Sequence, residues 1–230
     1  VSARLFYGWS AGQGRAAEAE GLLRRAVAAD PNSPEAIANL AAALQALGRN
    51  AEAAEAFERA LAARPEMIDA RFGLAACLQA CGRDDDAIVA YESILAAEPD
   101  HPEANYGLAT LLVRLGRLAD AAAKYRDALA ADPDFAEAGV GVGKLLAAED
   151  RLDDAIAHFR RALDVDPDYA DARAALGGAL SRLARDDEAA AAFQAVLAAE
   201  PDHVGAHIGL GTVLDRQRRH DDAIAHYRAV

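Results

Sequence analysis

The side chains of this sequence that could do chemistry fall into a few groupings. Cys77 and Cys81 stand four residues apart, a spacing that on a helix would suit a redox pair or two metal ligands. His203 and His207 share that spacing and would suit a metal in the same way. Gly139-Val-Gly-Val-Gly143 has the outline of a dinucleotide-binding loop without its full spacing. The acidic runs Asp84-Asp85-Asp86, Asp153-Asp154, Asp186-Asp187-Glu188 and Asp221-Asp222 could gather a cation, and Arg83, Arg151, Arg185 and Arg219 precede them. None of these sets joins a nucleophile to a base, so no catalytic residue and no cofactor is expected. Whether any of them is a site depends on the elements that carry it.

Composition narrows those elements. Of 230 residues, 53% are hydrophobic but only 6% aromatic, with one Met and one Trp, so most of the apolar half is Ala and Leu. Small residues of high helix propensity, with no β-branched alternation, point to an all-α chain. The net charge of −13 would repel a polyanion, so nucleic acid is excluded as a partner. No apolar run approaches the roughly 18 to 20 residues of a membrane span, and no membrane partner is expected. Two cysteines cannot frame a disulfide scaffold, which fits a reducing compartment and gives a cytoplasmic expectation.

The organisation shows in the prolines. Pro31, Pro65, Pro99, Pro133, Pro167 and Pro201 recur every 34 residues. In the same frame run Ala19, Ala53, Ala87, Ala121, Ala155, Ala189 and Ala223. Four residues after each stands a bulky side chain: Leu23, Phe57, Tyr91, Tyr125, Phe159, Phe193 and Tyr227. Two further columns read Phe6, Leu40, Leu74, Leu108, Val142, Leu176, Leu210 and Ser10, Leu44, Leu78, Leu112, Leu146, Leu180, Leu214. These spacings predict a helix pair per repeat. The first helix carries the Leu columns with a small residue between them (Ala41, Ala75, Ala109, Gly143, Gly177, Gly211), and the second carries the Ala and the ring. Gly14, Gly48, Gly82 and Gly116 mark the turn between the two, as left-handed residues that end the first helix. Asp150, Ala184 and Arg218 replace Gly in later repeats, where the turn is expected to be tighter or strained by up to about 1 kcal/mol.

This frame reduces the chemical candidates to packing and capping. Cys77 and Cys81 fall where other repeats carry Ala43 and Leu47, and His203 matches His101, Phe135 and Tyr169 at a helix start. His158 and His226 precede second-helix rings and read as polar residues on the solvent side. The glycine run lies inside a helix and follows no strand. The acidic runs open second helices, where carboxylates complement free N–H groups and the helix dipole. A second acidic column, Glu35, Asp69, Glu103, Glu137 and Asp171, opens first helices in the same way.

The columns resemble the tetratricopeptide repeat family, whose 34-residue unit has Leu-Gly/Ala, a mid-unit Gly, an Ala, an aromatic, an Ala and a closing Pro. The resemblance covers essentially the whole chain, in units 1–33, 34–67, 68–101, 102–135, 136–169, 170–203 and 204–230. The first unit departs from the pattern, with Tyr7 and Ser10 at the expected small and bulky positions. The resemblance implies an all-α solenoid, a right-handed superhelix of stacked antiparallel helix pairs, with a concave groove lined by first helices. It implies a non-enzymatic protein-interaction scaffold that holds an extended peptide or a helix. In the family, residues two, five, nine and twelve or thirteen of each unit face the groove. Carried onto this sequence, they make Phe72, Tyr106, Thr110, Arg114, Val140 and Lys144 candidate partner-binding residues, with Phe72 and Tyr106 as apolar anchors, and Asn39, one place after the fifth position of its unit, joins them. Beside them run Asn39, Gly73, Gly107, Gly141, Ala175 and Gly209. Glycine inside helices costs about 1 kcal/mol each, which calls for either close helix packing or room for a ligand backbone. Ala42 and Ala76 stand where relatives that clamp a C-terminal carboxylate need donors, and Asn39 alone matches the Asn ladder of transferase-fused relatives. The partner is expected to be a neutral or basic protein or peptide.

The last unit stops at Val230 within its second helix and before its Pro. The expectation is a fragment of a longer protein or an end covered by another subunit. On that basis two other readings stand: the substrate-recruiting arm of a larger enzyme, such as a glycosyl- or sulfotransferase, or an array that self-associates end to end.

Overall fold

The computed structural model describes residues 13–230, which are helices joined by short turns. The chain divides into two compact units, Val1–Arg117 and Leu118–Val230. The first holds α1 (Gln13–Ala29), α2 (Pro34–Ala46), α3 (Asn50–Ala63), α4 (Ile68–Ala80), α5 (Asp84–Ala97) and α6 (Pro102–Arg114). The second holds α7 (Leu118–Ala131), α8 (Ala136–Ala148), α9 (Leu152–Val165), α10 (Ala170–Arg182), α11 (Asp186–Ala199), α12 (Val204–Arg216) and α13 (His220–Arg228). From α4 onward each helix starts 34 residues after its counterpart in the preceding repeat. Each unit is thus an α-solenoid segment of antiparallel helix pairs. Within each unit consecutive helices pack in chain order, and first helices also touch one another, as α2 does α4 and α10 does α12. Phe6, Tyr7 and Ser10 lie outside the described residues.

The turns explain where the helices stop. After α2, the amide of Arg49 donates to the Leu44 carbonyl at 3.0 Å and that of Gly48 to Gln45 at 2.9 Å, which satisfies two carbonyls the helix end would leave open. The longer of these bonds recurs from Arg83 to Leu78, Arg117 to Leu112, Arg151 to Leu146, Arg185 to Leu180 and Arg219 to Leu214. The closure needs a left-handed residue, which Gly48, Gly82 and Gly116 supply at φ of 74° to 75°. Asp150, Ala184 and Arg218 hold the same conformation at 63°, 55° and 62°. The turn is therefore kept rather than tightened, and the substitutions are absorbed as backbone strain. Gly14, expected in such a turn, lies instead in the first turn of α1.

Helix starts follow a different logic. Ser33 Oγ, His101 Nδ1 and His203 Nδ1 accept the amides of Ala36, Ala104 and Ala206 at 3.3, 3.3 and 3.0 Å, which caps α2, α6 and α12. The acidic residues that open second helices do not cap through their side chains. One carboxylate of each run pairs with the arginine three residues back: Asp86 with Arg83, Asp154 with Arg151, Glu188 with Arg185 and Asp222 with Arg219. These exposed pairs add about 0–1 kcal/mol each and leave the carboxylates in the favourable field of the helix N-terminus.

The core is built on the second-helix rings. Phe57, Tyr91, Tyr125, Phe159 and Phe193 are all at most 5% exposed, and Ala53, Ala87, Ala121, Ala155 and Ala189 are fully enclosed. Each ring lies against first-helix glycines. A Cβ added at Gly107 would meet the Tyr91 ring at 2.6 Å, one at Gly141 would meet Tyr125 at 2.6 Å, and one at Gly73 would strike Phe57 closer still. Those glycines belong to the repeat that follows the ring. Gly143, Gly177 and Gly211 play the same part toward Phe159, Phe193 and Tyr227 of their own repeat. Phe193 is thus held between Gly177 on α10 and Gly209 on α12.

Relieving the strained turn provides a test. Ala184→Gly should raise stability by about 0.5–1 kcal/mol, since the left-handed φ disfavours any Cβ. Urea unfolding read by circular dichroism would measure it, and a loss of stability would contradict the strain.

Candidate functional site

The expected partner-binding residues all lie on first helices, but they divide by burial. Asn39 on α2 and Lys144 on α8 are exposed, and Tyr106 and Thr110 on α6 are half-buried. Phe72 is 7% exposed and Val140 2% exposed. Phe72 packs edge-to-face on Tyr91, with ring centroids 6.0 Å apart, and stacks on the His101 ring at 5.9 Å. A ring enclosed this way anchors its own helices, so Phe72 and Val140 belong to the core rather than to a partner surface. Asn39, Phe72, Tyr106, Thr110 and Arg114 fall in the first compact unit, and Val140 and Lys144 in the second.

Arg114 is already engaged. Its guanidinium reaches back one repeat to donate to the Gln79 carbonyl at 3.3 Å and to pair with Asp84. The arrangement repeats in the second unit. Arg182 donates to the Ala147 carbonyl at 2.5 Å and to Asp150 at 2.8 Å, and Arg216 donates to Ser181 Oγ at 2.7 Å and pairs with Asp186. These arginines stand at one repeat position and tie successive first helices through charge-assisted bonds. Sequence reading places them only as scattered donors, because their partners lie 30 to 35 residues away. Thr110 is also turned inward, its hydroxyl donating to the Tyr106 carbonyl at 3.0 Å.

The helical glycines have an answer. At Gly73, Gly107, Gly141 and Gly209 the space beside Cα is filled by the preceding repeat's ring. Close helix packing therefore accounts for this column, and it leaves no channel for a ligand backbone. Asn39 keeps a side chain at this position, and the residue of the preceding repeat in the ring column is Leu23.

The remaining groupings separate in the same way. Cys77 is buried and its thiol is pushed up to about 12 by that burial, with the nearby Cys81 adding to it. Cys81 is exposed at the end of α4 rather than packed as expected. His207 and His226 are paired, with their Nδ1 atoms 2.9 Å apart. His207 Nε2 lies 2.8 Å from the Pro201 carbonyl and must donate to it, so in neutral His207 the Nδ1 accepts and His226 Nδ1 donates. Burial and the neighbouring His207 hold His226 below the ordinary histidine range, and the ring is half-buried rather than solvent-side. Among the described residues no group of three or more His, Cys, Asp or Glu side chains is arranged to hold a metal. The glycine run lies within α8. No helix among the described residues is long and apolar enough to cross a membrane.

Three sequence models described as tetratricopeptide repeat match the chain, over residues 82–136 and 179–230, 10–55 and 46–90, and 143–183. No curated protein matches it significantly. Among solved structures, the APC/C hetero-tetramer Cut9–Hcn1 is similar at 20% identity with a TM-score of 0.83, over 94% of this chain and 42% of that one. This chain thus spans under half the length of that relative. YrrB, described as a tetratricopeptide repeat protein with an unusual peptide-binding site, matches at 23% identity and a TM-score of 0.59, over 80% and 95% of the two chains. A thermophilic protein of the same kind from Thermus thermophilus matches at 25% identity and 0.65, over 79% and 99%. The first two likenesses, below 25% identity, bear on the fold alone.

The two thiols differ enough to test the packing directly. At pH 8, iodoacetamide should modify Cys81 readily and leave Cys77 untouched until denaturant is added, as peptide mass spectrometry would read. Equal rates for the two would contradict the enclosure of α4.

Proposed function

The chain belongs to the tetratricopeptide repeat family, and from that premise we propose that it is a non-enzymatic scaffold that holds an extended peptide or helix on its first helices. The observation that supports this reading most is the unequal burial of the two helix types. From Phe57 to Phe193 the second helices turn their rings wholly into the core, whereas first helices leave Asn39, Tyr106 and Lys144 at the surface. In the first compact unit, Tyr106 is the aromatic suited to anchor a partner, with Asn39 as a polar contact. Lys144 would serve the second unit. Arg114 is the weakest of the proposed contacts, since a partner would have to compete with Asp84 for it. That YrrB carries a peptide-binding site makes peptide capture the natural first assay.

Charge sets the partner's chemistry. The chain carries a net −13, and acidic side chains open most first helices. Glu35 is already engaged by Arg64. A neutral or basic peptide fits such a surface better than an acidic one.

The reading can be tested with a peptide selected by display on the intact chain. Tyr106→Ala should weaken it about tenfold or more, equivalent to about 1.4 kcal/mol. Glu92→Ala, on the exposed side of α5, should leave it unchanged. Equal affinity for the Tyr106 variant, with its helical spectrum intact, would remove the proposed anchor.

A further inference from the structure

Four repeats close onto the proline of the repeat before them. The residue six positions after that proline sits on the first turn of the next first helix, and in four repeats its side chain donates to the proline's carbonyl. Asn105 Nδ2 donates to the Pro99 carbonyl at 3.0 Å, and His207 Nε2 to that of Pro201 at 2.8 Å. Arg71 and Arg173 donate through Nη2 to Pro65 and Pro167. In the repeat that follows Pro31 the position is Ile37, a buried hydrocarbon side chain that is 3% exposed.

One repeat fills it with nothing. After Pro133 the position is Gly139, and a Cβ built there meets no atom within 4 Å, in contrast to the glycines that abut rings. A pocket of about 50 Å³ lies there, within the second compact unit. That volume is several times the roughly 10–15 Å³ one water requires. Leu129, Ala162 and Val165 give it an apolar wall, and Asp134, His158 and Arg161 a polar one, with Pro133 at the edge. Burial first, and the Arg161 charge second, hold His158 below the ordinary histidine range, so its ring is mostly uncharged at neutral pH. The Asp154 carboxylate acts on the ring in the opposite sense.

The occupants of the equivalent places show what the pocket is shaped to take. All four donors present a planar head, and two of them are arginines. We propose that the Gly139 pocket receives an arginine side chain from a partner peptide, whose guanidinium donates to the Pro133 carbonyl as Arg71 and Arg173 donate to theirs. The aliphatic stem lies along Leu129, Ala162 and Val165, and the net charge of −13 favours the approach of a cation. The partner's origin rests on the scaffold reading above, but the pocket can be tested with a small probe and no partner.

The probe is N-acetyl-arginine amide, titrated into the full chain and followed by amide and histidine-ring NMR shifts. The expected result is a saturable response at Gly139 and His158 in the millimolar range. Gly139→Arg, which supplies the missing side chain, and Gly139→Ile, which copies Ile37, should each reduce it at least tenfold. N-acetyl-lysine amide and N-acetyl-glutamine amide should bind at least several times more weakly. The proposal is overturned by a response that does not saturate, by one that survives both substitutions, or by one that either control probe matches. A chain that binds the arginine probe at this pocket but no displayed peptide would retire the scaffold reading and leave the pocket's chemistry standing.

Discussion

The repeats depend on one contact, the outer edge of a second-helix ring against a first-helix backbone that carries no side chain at that point. Phe193 shows it fully. The ring is 4% exposed and lies between Gly177 of its own repeat and Gly209 of the next. Helix axes can approach this closely only where Cβ is missing or small, so the ring dictates glycine or alanine at two first-helix positions per repeat. The low aromatic and high alanine content follow from this geometry, since one ring per repeat suffices and its neighbours must be small. Tyr91 adds a polar tie, its hydroxyl donating to Gln79 Oε1 at 3.1 Å.

The ring contact fixes spacing, and polar groups fix phase. The left-handed turn returns the chain for its second helix at the same point in each repeat, even where Ala184 must adopt the strained conformation. The clamps from Arg114, Arg182 and Arg216 and the bonds to proline carbonyls then join one repeat to the next within each compact unit. Function is left to the surface that this internal chemistry does not consume. Asn39 and Lys144 are exposed there and Tyr106 partly so, whereas Phe72 and Val140 are buried.

Much of the fold was legible in the sequence because its determinants repeat at short range. Pro, Ala, ring and Leu columns mark helix faces directly, and the helix starts recur in the period of the prolines. The candidate site was less legible. One repeat position holds Phe72 and Val140, which are buried, and Ile208, which is 47% exposed, so the column alone does not decide burial. What decides it is the neighbouring helix, which for Phe72 supplies the Tyr91 and His101 rings. The partners of Arg114 were hidden for the same reason, being a full repeat away. The gap at Gly139 is visible in sequence only once the donors at Arg71, Asn105, Arg173 and His207 are known to share a task.

Ring and glycine are energetically coupled, and a double-mutant cycle in Phe193 and Gly209 measures that coupling. In the native chain, Gly209→Ala should destabilise by about 1–3 kcal/mol through overpacking, although alanine is the better helix former. With Phe193→Leu already in place, the same change should become neutral or stabilising, giving a coupling energy of about 1 kcal/mol or more by urea unfolding. Additive effects, or a stabilising Gly209→Ala in the native chain, would contradict the account.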